Sequence, residues 1–273
     1  MPQAPAQLPD NSTKHFGGVP LRVILPNLVT LLALSLGLTS IRFAIELKFE
    51  TAVQLIIAAA VLDALDGRIA RALKGTSKFG AEFDSLADFV DFGVAPALLL
   101  YQFALHEIKG LGWLAVMTFA VAAALRLARF NVAVDDPDKP AWQSNFFVGM
   151  PAPAGAIVGM LPLYLSMLGL THEHAYVPLE IGYTFLVALL MVSRIPHFSG
   201  KSIGRVPRDY VVLALFGVVV TLLLLATFPF EMLVVVSAVY VLMIPLSMRS
   251  FAAHSRADRI AEANKIAEED KQS

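Results

Sequence analysis

The chain has 273 residues, of which 57% are hydrophobic and 16% are charged, against about 45–50% and about 25% in ordinary soluble domains. This excess of apolar residues is too large for a water-soluble core, and it indicates a membrane protein. A net charge of −1 excludes the basic surface that nucleic-acid binding requires, and the lack of cysteine excludes disulfides and cysteine-ligated metal sites.

Apolar runs of about twenty residues recur along the sequence, and each is long enough to cross the roughly 30 Å hydrocarbon layer as a helix. We predict an all-α fold, a polytopic membrane bundle of about eight transmembrane helices. The predicted spans are 24–45, 51–73, 80–105, 111–133, 147–170, 177–196, 209–228 and 230–248. Together they form one transmembrane domain, residues 24–248, between a cytoplasmic N-terminal segment, residues 1–23, and a cytoplasmic tail, residues 249–273.

Lysines and arginines are distributed unevenly between the two ends of these spans. With the N-terminus inside, the cytoplasmic segments contain 18 of the 21 basic residues, and only Arg42, Lys48 and Lys109 lie outside. Because basic loops stay in the cytoplasm, this bias predicts a multi-pass protein with both termini inside, and a bacterial inner membrane is the expected location. The tail is expected to form a solvated or surface-lying helix.

The second and third spans contain carboxylates, which are costly inside a membrane unless they face a polar cavity or a partner. Residues at i, i+3, i+4, i+7 and i+8 fall on one helical face, and in the second span these are Asp63, Asp66, Gly67, Ala70 and Arg71. In the third span, the same rule groups Gly80, Asp84 and Asp88. A short turn at Gly75 joins the two spans, so we expect the four carboxylates to meet in one cleft.

Four carboxylates a few ångströms apart need a counter-charge. Oxygen ligands without cysteine or an adjacent histidine suit Mg²⁺ or Mn²⁺, and two such ions can stabilise both oxygens of a displacement at phosphorus. The small residues Gly67 and Ala70 leave room for a nucleotide, and Arg71 can pair with a phosphate. Each feature alone also has a simpler interpretation, since small residues pack helices together and single basic residues anchor spans at the interface.

The spacing of these residues is Asp63-x2-Asp66-Gly67-x2-Ala70-Arg71-x8-Gly80-x3-Asp84-x3-Asp88. This pattern resembles the complete signature of the CDP-alcohol phosphotransferase family. The resemblance implies a six-helix catalytic core, usually in a homodimer, and two divalent metal ions held by Asp63, Asp66, Asp84 and Asp88. It further implies that Asp88 is the general base for an incoming hydroxyl, and that the CDP site is lined by Gly67, Ala70, Arg71 and Gly80.

Three other stretches resemble the membrane-spanning phosphatidylserine synthases of this family: residues 79–97, 126–131 and 147–153. This similarity implies that CDP-diacylglycerol and serine are the substrates and that they meet on the cytoplasmic side. Asp91 departs from the pattern, since a small polar residue is expected at its place.

The carboxylate of serine needs a cationic partner, and the candidates near the inner end of the fourth span are Arg126, Arg129 and Lys139. Their alternative role is to anchor the span at the cytoplasmic interface. Two other interpretations stay open: a different acceptor, such as choline, glycerol 3-phosphate or an inositol compound, and an ion-coupled transporter that uses intramembrane acids. The concentration of acids in one helix pair favours the enzyme.

Overall fold

The computed structural model describes residues 21–73, 75, 77–134, 140–199 and 210–272. Almost all of the predicted N-terminal segment, residues 1–23, therefore lies outside the described residues. The helices are α1 (Leu21–Ile45), α2 (Phe49–Ala72), α3 (Lys78–Asp88), α4 (Ala95–Phe103), α5 (Lys109–Val134), α6 (Ala152–Gly159), α7 (Leu161–Met167), α8 (Val177–Val192), α9 (Val211–Thr227) and α10 (Pro229–Gln272). Two short strands are also present, β1 (Phe146–Val148) and β2 (Pro196–Phe198).

The predicted all-α bundle is confirmed, and every predicted span contains a helix. The third span is interrupted by a π-helical segment, Phe89–Val94, between α3 and α4. The fifth is broken between α6 and α7, because Pro162 in the first turn of α7 has no backbone N–H to continue the helix.

Two predicted boundaries are wrong. The fifth predicted span begins at residue 147, but this stretch begins within β1, and α6 starts only after Pro151. The sixth predicted span ends at residue 196, but α8 ends at Val192, and Pro196 begins β2. Both corrections have the same cause, since proline does not continue a helix.

Among the described residues, four helical segments are long and apolar enough to cross a membrane: Val23–Ile45, Leu105–Ala133, His174–Val192 and Pro229–Ile260. The apolar stretches Ala152–Met167 and Val211–Thr227 are shorter. By length and composition, the chain is a membrane protein.

The α1–α2 hairpin is the most extensive helix pair in the described fold. Alanine side chains, including Ala44 and Ala52, are fully buried in the core and allow close packing. The hydroxyl of Ser40 on α1 donates to the carbonyl of Ala52 on α2 at 2.8 Å. This hairpin brings the polar side chains of α1 against the acidic half of α2.

The two strands form an antiparallel ribbon in which Phe146 pairs with Phe198 and Phe147 pairs with His197. The C-terminal tail is helical, as predicted, and it continues α10 without a break. The indole of Trp142 donates to the Asp258 carboxylate of this tail at 2.9 Å. The tail therefore contacts the segment that leads into β1.

Candidate active site

Three of the four predicted metal-binding aspartates converge where α2 meets α3. Asp63, Asp66 and Asp84 each offer a carboxylate oxygen, and these oxygens all lie within 4.8 Å of one another. Asp88 joins the group through a hydrogen bond between its carboxyl group and that of Asp63. The helical spacing and the turn at Gly75 thus produce the acidic cluster.

The chemistry of this cluster fits a hard divalent cation. Its donors are all carboxylate oxygens, the type that Mg²⁺ and Mn²⁺ prefer. Oδ1 of Asp84 is buried and has no hydrogen-bond partner among the described residues, whereas Oδ2 of Asp66 accepts from the Thr30 hydroxyl at 2.7 Å. Thr30 therefore orients the Asp66 carboxylate, and Asp84 has an oxygen that could bind an ion.

A cavity of about 170 Å³ adjoins the cluster between α1, α2 and the start of α3. Asp66, Asp84 and Thr30 belong to its wall. The wall also includes all four predicted CDP-binding residues: Gly67, Ala70, Arg71 and Gly80. The structure therefore brings the predicted nucleotide residues and two of the four acids, Asp66 and Asp84, to one cleft.

The start of α3 is fixed by a local hydrogen bond and a close helix contact. Ser77 is the N-cap, and its side chain accepts from the backbone N–H of Gly80 at 3.0 Å. A Cβ added to Gly80 would lie only 2.8 Å from Oδ1 of Asn27 on α1. A Cβ at Gly67 would meet only the Arg71 guanidinium, at 3.5 Å. Gly80 permits helix packing, whereas Gly67 keeps the cleft open.

Asp91, the residue that departs from the family pattern, lies in the π-helical segment that follows Asp88. It is buried, and its Oδ1 has no hydrogen-bond partner within the described part of the chain. Its carboxylate fills the space left by the missing side chain of Gly37 on α1. Single-turn π-helical segments are frequent at functional sites, and here the segment links the acidic cluster to α4.

Lys139, one of the three candidates for acceptor binding, lies outside the described residues. The two arginines have different surroundings. Arg126 is buried, and Asp88 is among the groups that interact with it electrostatically. Its guanidinium lies 5.0 Å from the Phe130 ring centroid and 5.5 Å from that of Phe147. Arg129 instead donates to the carbonyls of Val192 and Ser193, at 2.7 and 3.1 Å, and so caps the C-terminal end of α8. Arg126 therefore interacts with an acid of the cluster, whereas the contacts described for Arg129 are with the end of α8.

Sequence reasoning missed five residues in or near the site. Asn27 and Thr30 had a usable signal, because polar residues three positions apart on an apolar span share one face. Ser77 could have been recognised as an N-cap before α3. His197 and Tyr240 carried no comparable signal, since their proximity to Arg126 depends on strand pairing and on the path of α10.

Comparison with known proteins agrees with this geometry. Residues 23–196 match the family model for CDP-alcohol phosphatidyltransferase. A CDP-diacylglycerol–serine O-phosphatidyltransferase of Mycobacterium leprae is 42% identical over 242 residues, which are 86% of this chain and 78% of the relative. Proteins of the same name from Helicobacter pylori and Bacillus subtilis are each 36% identical, over 71% and 64% of this chain and 79% and 91% of their own length. The chain belongs to the CDP-alcohol phosphatidyltransferase family.

Proposed function

We propose that the protein transfers the phosphatidyl group of CDP-diacylglycerol to the hydroxyl of L-serine, giving phosphatidylserine and CMP. The observation that carries the proposal is the acidic cluster of Asp63, Asp66 and Asp84 beside a cleft that contains Gly67 and Arg71. The choice of serine is supported by the names of the relatives described above.

The cleft suits the nucleotide end of the CDP-lipid. Gly67 and Ala70 present almost no side chain to it, so a nucleotide can approach the backbone of α2 closely. Arg71 borders the same cleft, and its planar guanidinium can bind phosphate oxygens through two parallel hydrogen bonds. These residues hold CDP-diacylglycerol with its diphosphate next to the acidic cluster.

Asp63, Asp66, Asp84 and Asp88 would hold the divalent ions, Mg²⁺ or Mn²⁺ and two in number. When bound, the ions neutralise charge on the phosphate oxygens and on the departing CMP. The hydrogen bond from Thr30 to Asp66, at 2.7 Å, keeps one carboxylate in a fixed orientation toward them.

Asp88 is the proposed general base. It lies against Asp63 and interacts with Arg126, so it stands between the acids and the proposed acceptor site. The serine oxygen forms a bond to the phosphatidyl phosphorus, the bond from that phosphorus to the CMP oxygen breaks, and the hydroxyl proton moves to the Asp88 carboxylate. No covalent enzyme intermediate is required.

Arg126 is the proposed partner of the serine carboxylate. Its charge is buried among aromatic rings, and its Nε has no hydrogen-bond partner within the described residues. A buried N–H donor without a partner is costly, and the carboxylate of an anionic acceptor would accept from it. The Arg126 guanidinium also lies over the rings of Phe130 and Phe147. A quaternary amine such as choline would need these same ring faces, and Arg126 already occupies them. Arg129, which caps α8, is assigned no role in acceptor binding.

We infer a multi-pass arrangement in a bacterial inner membrane, with both termini and the active site on the cytoplasmic side. The positive-inside bias supports it. At the opposite end of the α1–α2 hairpin, Arg42 and Lys48 are paired with Glu46 at 2.9 and 2.8 Å, so little free positive charge remains there. We propose that the protein is a homodimer, and a measurement of the mass of the protein in detergent would test this assembly.

The deciding experiment is an assay of the purified protein with CDP-diacylglycerol and a panel of acceptors: serine, choline, glycerol 3-phosphate and inositol compounds. We expect CMP release and phosphatidylserine formation with serine in preference to the others. A stronger preference for another alcohol would refute serine as the acceptor. Failure to consume the CDP-lipid with any acceptor would refute the enzyme and favour a carrier.

A further inference from the structure

The β1–β2 ribbon has two different faces. Side chains of directly opposed residues in an antiparallel pair lie on the same face, and His197 is opposite Phe147. Since the Phe147 ring packs on the guanidinium of Arg126 at 5.5 Å, His197 is also on the face toward Arg126. An electrostatic interaction between His197 and Arg126 agrees with this placement.

Tyr240 of α10 fixes the ring of His197. The tyrosine hydroxyl and Nδ1 of His197 are 3.0 Å apart, and the two rings are nearly parallel, with 14° between their planes. His197 is only 2% exposed, yet its Nε2 has no hydrogen-bond partner in the part of the chain that the structure describes. Buried polar atoms are normally paired, so this nitrogen is free to bind a ligand.

We propose that His197 is a second acceptor-binding residue, whose Nε2–H donates to the carboxylate of the incoming amino acid beside Arg126. The inference rests on the proposed function, because it takes serine as the acceptor. Tyr240 is a positioning residue. When its hydroxyl donates to Nδ1, the proton of the neutral ring is on Nε2, where it faces the ligand.

Charge balance supports a neutral histidine at this position. Burial, together with the charge of Arg126, lowers the pKa of His197 to about 4, so the ring is neutral near pH 7. Arg126 then supplies the single positive charge that a carboxylate needs, and His197 supplies a second directed donor. Neither His197 nor Tyr240 lies within residues 23–196, which match the family model. This part of acceptor recognition would therefore lie outside the matched region.

Steady-state kinetics of four variants test the proposal: His197→Phe, His197→Gln, Tyr240→Phe and Tyr183→Phe. His197→Phe should raise the KM for serine by roughly tenfold or more, the loss expected for a hydrogen bond to a charged group. The KM for CDP-diacylglycerol should change less than twofold. His197→Gln, whose amide N–H can replace the ring donor, should recover much of the serine affinity, and Tyr240→Phe should cause a smaller rise.

Tyr183→Phe is the matched control, because it removes a hydroxyl that donates to the Val158 carbonyl at 2.7 Å, away from Arg126. It should leave both KM values unchanged. Serinol, which lacks the carboxylate, should be a poor acceptor that His197→Phe does not weaken further. A serine KM in His197→Phe within twofold of the wild type, or an equal loss with serinol, overturns this inference alone. Absence of serine turnover in the wild type overturns the proposed function itself.

Discussion

Alanine substitutions at Gly80 and Gly67 test two different reasons for a glycine beside the proposed nucleotide cleft. At Gly80 the reason is close helix packing, and at Gly67 it is space for the nucleotide. A Cβ at Gly80 would lie 2.8 Å from Oδ1 of Asn27 and 3.1 Å from Oγ of Ser77, so the N-cap or the α1 contact must shift. Loss of an N-cap costs about 1 kcal/mol and overpacking about 1–3 kcal/mol, while the better helix propensity of alanine returns about 0.5–1 kcal/mol. We expect Gly80→Ala to lower the free energy of unfolding by about 1–3 kcal/mol.

Gly67 should respond in the opposite way. Its added Cβ would meet only Nη1 of Arg71, at 3.5 Å, which is an ordinary contact. Gly67→Ala should therefore keep or slightly raise the free energy of unfolding, by up to about 0.5–1 kcal/mol. Because Gly67 borders the cleft, the new methyl group should obstruct the nucleotide. We expect the KM for CDP-diacylglycerol to rise roughly tenfold or more, with the KM for serine little changed.

Thermal unfolding in detergent and the two KM values, measured on the same preparations, distinguish these outcomes. Gly182→Ala on α8 is the control, since a Cβ there meets nothing within 4 Å. Wild-type affinity for CDP-diacylglycerol in Gly67→Ala would refute the assignment of this cleft to the nucleotide. Equal thermal stability of Gly80→Ala and Gly182→Ala would refute the tight contact between α3 and α1.

Three further predictions concern the acids, the metal and the arginines. Replacement of Asp63, Asp66 or Asp84 by asparagine should abolish product formation and leave the unfolding temperature at its wild-type value. Asp88→Asn should lose turnover but still bind the CDP-lipid, and near-normal turnover would falsify its role as the base. A chelator should stop CMP release reversibly, with recovery on adding Mg²⁺ or Mn²⁺, and undiminished activity would exclude the metal. Arg126→Gln should raise the serine KM roughly tenfold or more. Arg129→Gln should instead lower the unfolding temperature and leave the serine KM unchanged. The reverse pattern would assign acceptor binding to Arg129 and the structural role to Arg126.

The meeting of the aspartates could be predicted because it depends on local geometry. Asp63 and Asp66 share a face of α2 by helical spacing alone, and the short connection around Gly75 limits where α3 can go. Only the helix pair and its turn are needed, so no long-range information is required. The roles of Asp88 as base and of Arg71 as phosphate ligand stay predictions.

The ribbon and its histidine could not be predicted, because they depend on contacts between distant residues. Strands of three residues are too short to show a period of two, and β1 and β2 pair across a separation of about fifty residues. Tyr240 reaches His197 only because α10 returns to this end of the bundle. Hydrophobic patterning assigned most of β1 and the first residue of β2 to spans, since Phe147 and Val148 are as apolar as the helix that follows.

The C-terminal helix supports both faces of the ribbon, and this links it to the geometry of acceptor binding. On one face, Tyr240 contacts His197 at 3.0 Å; on the other, the Phe251 ring lies 5.4 Å from that of Phe146. A two-stranded ribbon of this length is not stable alone, so its position is set by what packs against it. A shift of α10 would therefore move His197 relative to Arg126, while the aspartates, which are held by α2 and α3, would stay in place. Under the proposed roles, the phosphoryl chemistry and the choice of acceptor would be supported by different helices.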